Sequence, residues 1–358
     1  MKKLNIDKKV FFILASLLVI IAISATITYF FAKSKLNLNS EISHPVLSAQ
    51  TERDISQIPP EDLETLTVLL LGYGGAGHQG GFLTDVIQLV HLDFKKAQVN
   101  LISIPRDLWI KLPNGKQAKI NTAFTLGENP NQPITSGGQI AKQMVTAISG
   151  ISIDYFVAVD FVGFKRLIGI ELDGIEVNVP ETLDDYWYPI KGEELNPCGI
   201  TPQEVADLTA NYSGFELEKQ FECRYEHLYF EKGLVKMEGG DALGYVRSRH
   251  GSAGGDFSRS QRQHALLKAI RDKLWSIEAL EKAPEFFEKI TKHFITDVDL
   301  KIVKYLVPAL KTAKNFETKS VVLSTENVFT TSKSSTGQFI VVPKNNWESV
   351  HNYIQQQL

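Results

Sequence analysis

Gly240 to Lys273 is the most basic stretch of the chain, with Arg247, Arg249, Arg259, Arg262, Lys268, Arg271 and Lys273 set against Asp241, Asp256 and Asp272. Arg247 and Arg249 stand two positions apart, so on extended chain they point to one side. Arg259, Arg262 and Gln263 are related by three and four positions, so on a helix they share a face. Asp256 and Ser258 occupy the place of a helix N-cap, beside amides that favour negative charge. A solvated helix face accounts for Lys268, Arg271 and Lys273. It accounts poorly for the other four arginines, which crowd around a glycine turn with few carboxylates to pair them. Guanidinium groups converging on one pocket want a polyanion, and phosphate or pyrophosphate suits them.

Two further segments have residue types suited to the same chemistry. Ile102-Ser103-Ile104-Pro105-Arg106-Asp107 reads as a buried strand ending in Pro-Arg-Asp. Arg106 there is placed either for a bidentate phosphate contact or to pair with Asp107 as a strand cap. The glycine-rich turn from Gly72 to Gly81 follows an apolar strand and could present amide N–H groups to an anion. It has no G-K-[ST] and no dinucleotide fingerprint, so a plain flexible loop is the competing reading. No Ser-His-Asp order, H-E-x-x-H or C-x-x-C is present. Cys198 and Cys223 are the only cysteines, and we read them as a disulfide closing an acidic, aromatic segment at residues 181–233.

Positioning these residues requires a sheet covered by helices. Apolar runs alternate with amphipathic segments, the pattern of an α/β fold. Strands are predicted at Thr67–Leu71, Val86–Asp93, Val99–Ile104, Tyr155–Val159, Ile175–Val179, Ser320–Leu323 and Phe339–Val342. Helices are predicted over 138–148, Phe161–Ile168, Ser258–Leu274, 283–293, 299–313 and 346–356, with their apolar stripes assigned to the core. Strands near both ends of the chain predict one sheet closed by both halves.

The 358 residues carry a formal charge of -3, which excludes a globally basic nucleic-acid binder. Hydrophobicity is concentrated at one end. Val10 to Ala32 has no charge over 23 residues, enough for a helix to cross a hydrocarbon core of about 30 Å. Lys2, Lys3, Lys8 and Lys9 precede it, so residues 1–9 are expected in the cytoplasm, 10–32 in the membrane and the rest outside. Without residues 1–32 the chain keeps 34 basic and 40 acidic residues, a charge of -6. Residues 33–60 are polar, lack a period and end in Pro59-Pro60; they read as a tether to a domain spanning 61–358.

Thr84-Asp85, Ile104-Pro105-Arg106-Asp107, Lys119-Ile120-Asn121-Thr122-Ala123-Phe124, the block Gly239 to Arg249 and Asp256-Phe257-Ser258-Arg259-Ser260-Gln261-Arg262-Gln263 follow one N-terminal anchor in that order. Over about residues 66–275 this resembles the LytR-CpsA-Psr family. The resemblance implies a central mixed sheet sandwiched by helices and preceded by one transmembrane helix. It also implies an extracytoplasmic enzyme that moves a glycopolymer from a polyprenyl-pyrophosphate carrier to a peptidoglycan sugar hydroxyl, with an apolar pocket for the polyprenyl chain. By motif position, it implies that Arg106, Arg247, Arg249, Arg259 and Gln263 hold the head group. Asp256 matches the family's conserved acid, and Asp85 its metal-site acid, for Mg2+. Tyr73 and Leu83 depart from the pattern, standing where the family has an Asp and an Arg, and the 181–233 segment is longer than the family link.

Arg106, Arg247, Arg249 and Asp256 are accordingly assigned to catalysis, Arg259, Arg262 and Gln263 to substrate binding, and Asp85 to the metal. The chemistry agrees with the residues: charge developing on a departing lipid phosphate is stabilised by arginines and a divalent cation. The sequence leaves the general base open between Asp256, Asp107 and another acid. A pyrophosphate hydrolase and a non-enzymatic lipid-carrier binder would use the same arginines. A transcriptional regulator is disfavoured by the outward topology, the acidic exterior and the lack of a DNA-reading helix pair.

Overall fold

The structure is a computed structural model that describes residue 45 and residues 53–358 except 79, 128–134, 253 and 276–281, and leaves the Asp256 side chain undescribed. The apolar run 10–32 and most of the tether therefore lie outside the described residues, among which no helix is long and apolar enough to cross a membrane.

Strands β1 (Thr65–Tyr73), β2 (Thr84–Asp93) and β3 (Gln98–Ser103) form an antiparallel meander. A small hairpin, β4 (Trp109–Lys111) and β5 (Gln117–Lys119), follows. Helix α1 (Ser136–Ser149) ends at Gly150, whose φ of 71° is the left-handed conformation that closes a helix. Strand β6 (Tyr155–Asp160) joins β1 in parallel and runs into α2 (Phe161–Arg166), capped by the Asp160 side chain. Next come β7 (Ile175–Val179), β8 (Leu183–Pro189), α3 (Pro202–Asn211), α4 (Phe215–Glu218), β9 (Tyr225–Phe230) and β10 (Gly233–Met237). Helices α5 (Gly239–Arg247) and α6 (Asp256–Leu274) carry the basic stretch. The chain ends with α7 (Ala283–Ile290), β11 (Phe294–Thr296), α8 (Leu300–Thr312), β12 (Glu317–Val322), β13 (Phe329–Lys333), β14 (Phe339–Pro343) and α9 (Trp347–Gln357).

The main sheet has six strands in the order β11-β6-β1-β2-β3-β12, mixing parallel and antiparallel pairs. Alternation along β1 separates its two faces. Leu69 and Leu71 pack with Met144 and Ile148 of α1 and with Val350 and Ile354 of α9. Leu66 packs on the opposite side with Leu306 and Ala309 of α8. A further core joins β7 and β10 to α5 and α6 through Val177, Met237, Tyr245 and Leu266. The predicted sandwich of helices around a mixed sheet is present.

Three expectations need correction. Phe339–Pro343 pairs with β13 in a separate ribbon, not with the main sheet, which it meets only indirectly through the Leu108–Val341 bridge after β3. Ile175–Val179 likewise pairs with β10 outside that sheet. The end of the tether is part of the folded body: Ile55 is completely buried, and Arg53 forms an ion pair with Asp154 at 2.9 Å.

Candidate functional site

The site lies at one end of the sheet, where β1, β3, β6 and β12 finish and β2 begins. Clefts at the carboxyl ends of parallel strands are the usual ligand sites of α/β sheets. The antiparallel register pairs Gln88 with Ser103, which brings the start of β2 beside the segment following β3. Arg106 thus reaches back to Asp85, its Nη1 donating to Oδ1 in an ion pair. Asp107 accepts from Lys119 Nζ at 2.6 Å and faces Arg106 Nε at 3.7 Å. The pairing reading of Pro-Arg-Asp holds in part, with Asp85 rather than Asp107 as the closer partner of Arg106.

Helix α5 delivers Arg247 at its last turn, and α6 delivers Arg259 and Gln263 one turn apart. The half-buried Arg247 lays its guanidinium over Phe161, 4.3 Å from the ring centroid, and donates to the Tyr188 hydroxyl at 3.2 Å. Burial raises the pKa of that phenol, so Tyr188 remains a neutral acceptor for the cation. Arg249 is exposed. Gln263 accepts from Gln88 Nε2 at 2.9 Å and donates to the Val246 carbonyl at 3.3 Å, tying sheet, α5 and α6 together. Behind it, Ser103 and His264 complete a buried polar group, with Ser103 Oγ 2.8 Å from His264 Nε2. Desolvation holds His264 down to about 4, so the imidazole is neutral.

Arg262 differs from its sequence assignment. It is 3% exposed and donates to the Tyr245 carbonyl at 2.8 Å, the Ser252 hydroxyl at 2.9 Å and the Ser248 carbonyl. Its three nitrogens hold the turn between α5 and α6, and it lines none of the cavities described below. Its hydrogen bonds brace the turn on which Arg247 and Arg249 stand. The helix begins at Asp256, two residues before the predicted Ser258, and Gly255 is its N-cap, so Asp256 and Ser258 stand in the first turn instead of at the cap; the Asp256 side chain lies outside the described residues.

Three cavities converge here, with Val86 and Gln263 in the wall of each. A cavity of about 240 Å³ is lined by Asp85, Arg106, Asp107, Arg259 and, from the chain's C-terminal part, Glu326. A second of about 500 Å³ is lined by Asp85, Arg247, Arg249 and Arg259 and by aromatic residues of the 181–233 segment. The third, about 300 Å³, is almost wholly apolar; Leu70, Val157, Phe164, Leu266, Ile270 and Leu274 form its walls, with Arg247 at its border. Arg106, Arg247, Arg249, Arg259, Gln263 and Asp85 therefore line adjoining cavities. Among the described residues of the glycine-rich turn, only Gly72 reaches any of the three.

The apolar cavity was the main feature hidden from the residue reading. Leu266, Ile270 and Leu274 follow helical spacing, which a buried stripe and a channel wall share equally. Phe161 and Tyr188 were missed for want of any local signal, since their role comes from stacking and hydrogen bonding with an arginine distant in sequence.

The described donors do not make a protein-only metal centre. Asp85 is engaged with Arg106, and no group of three His, Cys, Asp or Glu able to hold a metal occurs among the described residues. Tyr73 is 6% exposed and packed on Phe82 and Phe124, away from these cavities. One carboxylate fits a magnesium ion only when phosphate oxygens and water supply the other ligands.

An aliphatic cavity bordered by cationic side chains has the polarity of an amphiphilic anion. The chain belongs to the LytR_cpsA_psr family, whose sequence profile matches residues 28–355. It is 29% identical over 238 residues to the polyisoprenyl-teichoic acid–peptidoglycan teichoic acid transferase TagV of Bacillus subtilis (strain 168), covering 65% of this chain and 49% of TagV. With the Enterococcus faecalis transferase of the same description, TagU, it shares 25% over 254 residues, 70% of this chain and 67% of TagU. The regulatory protein MsrR of Staphylococcus aureus is 25% identical over 221 residues, 62% of this chain and 52% of MsrR. The chain thus spans about half the length of TagV and MsrR. Among solved structures, B. subtilis TagV aligns with a TM-score of 0.55 at 25% identity, covering 82% of this chain and 97% of that one. TagT bound to LI-WTA aligns at 0.55 and 21% identity, covering 87% and 99%.

Proposed function

We propose that this chain is an extracytoplasmic transferase, anchored by residues 10–32, that moves a glycopolymer from a polyprenyl pyrophosphate to a peptidoglycan sugar hydroxyl. The observation that carries the reading is the junction at Val86 and Gln263, where an aliphatic cavity opens beside an arginine cluster. A polyprenyl pyrophosphate has that polarity: a hydrocarbon tail joined directly to two phosphates. The tail would lie against Leu266, Ile270 and Leu274, and the phosphates among Arg106, Arg247, Arg249 and Arg259. The relatives TagV and TagU, named for polyisoprenyl-linked teichoic acid and peptidoglycan, support the same substrate class.

In the reaction the acceptor hydroxyl oxygen attacks the phosphorus that bears the glycopolymer. A new P–O bond forms, the bond to the bridging oxygen of the pyrophosphate breaks, and polyprenyl phosphate leaves with that oxygen. Arginines placed at the bridging and terminal oxygens stabilise the charge that builds there. Arg106 is held ready by Asp85, and the incoming phosphates compete for the same guanidinium. The hydroxyl proton must go to a base; Asp85, Asp107 and Glu326 are the described carboxylates lining the first cavity. Magnesium brought by the pyrophosphate would be held by Asp85 and would offset phosphate charge.

Mass spectrometry of the detergent-solubilised chain tests the reading. We expect a co-purified polyprenyl phosphate or pyrophosphate, depleted when Leu266 and Ile270 are both replaced by Asp. The absence of any prenyl lipid from preparations of the wild type made from native membranes would count against it.

A further inference from the structure

The 181–233 segment is more than a long connection. Cys198 and Cys223 are joined in a disulfide, as the sequence suggested, with Cα atoms 5.6 Å apart. Asp185, 1% exposed, accepts from the Trp187 amide at 2.8 Å and from the Ser248 hydroxyl at 2.6 Å, which fastens the β8–β9 ribbon to the turn carrying Arg247 and Arg249. At Gly251, φ is 75°, and a Cβ would lie 2.4 Å from the Asp184 carbonyl; the turn and the ribbon touch backbone to backbone. The ribbon register shifts between Asp185 and Tyr188, and a bulge of this kind re-aims side chains. Trp187 sits in that bulge and lines the 500 Å³ cavity. Edge contacts with Phe215 at 5.7 Å and Tyr225 at 5.5 Å fix its ring. Phe215 in turn stacks on His250 of the arginine turn at 4.4 Å.

This wall differs in chemistry from the lipid channel. The channel is aliphatic, whereas the wall combines the aromatic residues Trp187, Tyr188, Phe215 and Tyr225 with Glu218 and His250. Its parent segment carries twelve Asp or Glu against four Lys or Arg, so a second anionic group is disfavoured away from the arginines. A pyranose ring meets all these conditions: it is neutral, has C–H faces that stack on aromatic rings, and has rim hydroxyls that hydrogen-bond to polar side chains. The volume is within the range of about 300–1,000 Å³ usual for small-molecule sites.

We propose that Trp187, held by Phe215 and Tyr225, is a platform for a neutral sugar ring next to the pyrophosphate, and so a specificity determinant contributed by the inserted segment. This rests on the transferase reading above for the identity of the neighbouring group. The ring belongs either to the first sugar of the donor or to the peptidoglycan acceptor.

The test uses the detergent-solubilised full chain and three probes: a sugar-free polyprenyl pyrophosphate, the same lipid bearing one N-acetylhexosamine, and a soluble peptidoglycan glycan fragment. Trp187→Leu should weaken one sugar-bearing probe roughly three- to tenfold while leaving the sugar-free lipid unchanged. Trp187→Phe should retain most of the affinity, and Leu195→Ala, at an exposed position of the same segment, should change nothing. Loss on the sugar-lipid assigns the platform to the donor; loss on the fragment assigns it to the acceptor. Unchanged binding of both sugar probes by Trp187→Leu, equal loss of the sugar-free lipid, or no binding of either sugar by the wild type beyond that of the sugar-free lipid would overturn the proposal. Failure of the wild type to bind the sugar-free lipid, with fragment binding still dependent on Trp187, would remove the transferase reading and leave the platform standing.

Discussion

Replacing Arg262 by Met keeps an unbranched buried side chain as far as the position of Nε and removes the three donor nitrogens. The carbonyls of Tyr245 and Ser248 and the Ser252 hydroxyl lose their partner. Hydrogen bonds to a charged group contribute about 1.5–3 kcal/mol each, so the gross loss is roughly 4.5–9 kcal/mol. Burial already disfavours the charged guanidinium, lowering its pKa, and Met returns part of the loss through its apolar surface. The net cost should resemble that of breaking a buried charged pair, about 3–5 kcal/mol. For a urea m-value of about 2 kcal/mol/M, this moves the unfolding midpoint down by about 1.5–2.5 M. Urea titration of wild type and variant at one pH, followed by circular dichroism, measures it. A shift below about 0.5 M with a selective loss of pyrophosphate affinity would refute the structural role and return Arg262 to the ligand site.

Other perturbations have comparably defined outcomes. His264 is neutral because burial lowers its pKa to about 4 from 6.5, so it adds stability above pH 6.5 that is lost as pH falls from about 6.5 to about 4. That loss amounts to about 3 kcal/mol, and His264→Gln should flatten this part of the wild-type stability–pH curve; parallel curves would show that the imidazole does not titrate this way. Ala at Arg106, Arg247 or Arg259 should weaken polyprenyl-pyrophosphate binding by about 1.5–3 kcal/mol, and less at the exposed Arg249. Lys268→Ala, on exposed surface, should have little effect; equal small losses at all five positions would show that the arginines form no common site. Magnesium should bind the free chain poorly and bind together with lipid pyrophosphate, each strengthening the other by one factor. Calorimetry with Asp85→Asn should show weaker coupling, and tight magnesium binding to the lipid-free wild type, unaffected by that change, would place the metal elsewhere.

Much of the frame could be read from periodicity, because β1 to β3 and β6 are apolar runs bounded by turns and needed no distant partner to be recognised. The disulfide was legible because the chain has two cysteines and both fall in one segment. Partners were harder. Phe339–Pro343 was recognisable as a strand, but nothing local specified β13 as its neighbour. Strand β11 is three residues long and directly follows a helical stripe, which hid it. Arg262 shows the limit of face arguments: three positions from Arg259 is about 60° of helix rotation, enough to turn one arginine to the cavity and the other beneath the α5–α6 turn. The end of the tether was misread because Ile55 and Ile58, two apolar residues in a short polar stretch before Pro59-Pro60, are too few to show a period that would reveal their burial.

The central claim is transfer, and the product decides it. The detergent-solubilised chain would be given a polyprenyl pyrophosphate carrying a labelled saccharide, magnesium and peptidoglycan, and the digested wall material analysed by mass spectrometry. The account expects the label joined through one phosphodiester to a peptidoglycan sugar, with one polyprenyl phosphate released per bond formed and both lost together in Arg106→Ala. Saccharide phosphate released into solution with none attached would make water the acceptor and the chain a hydrolase, and bound lipid with no product would make it a carrier-binding protein.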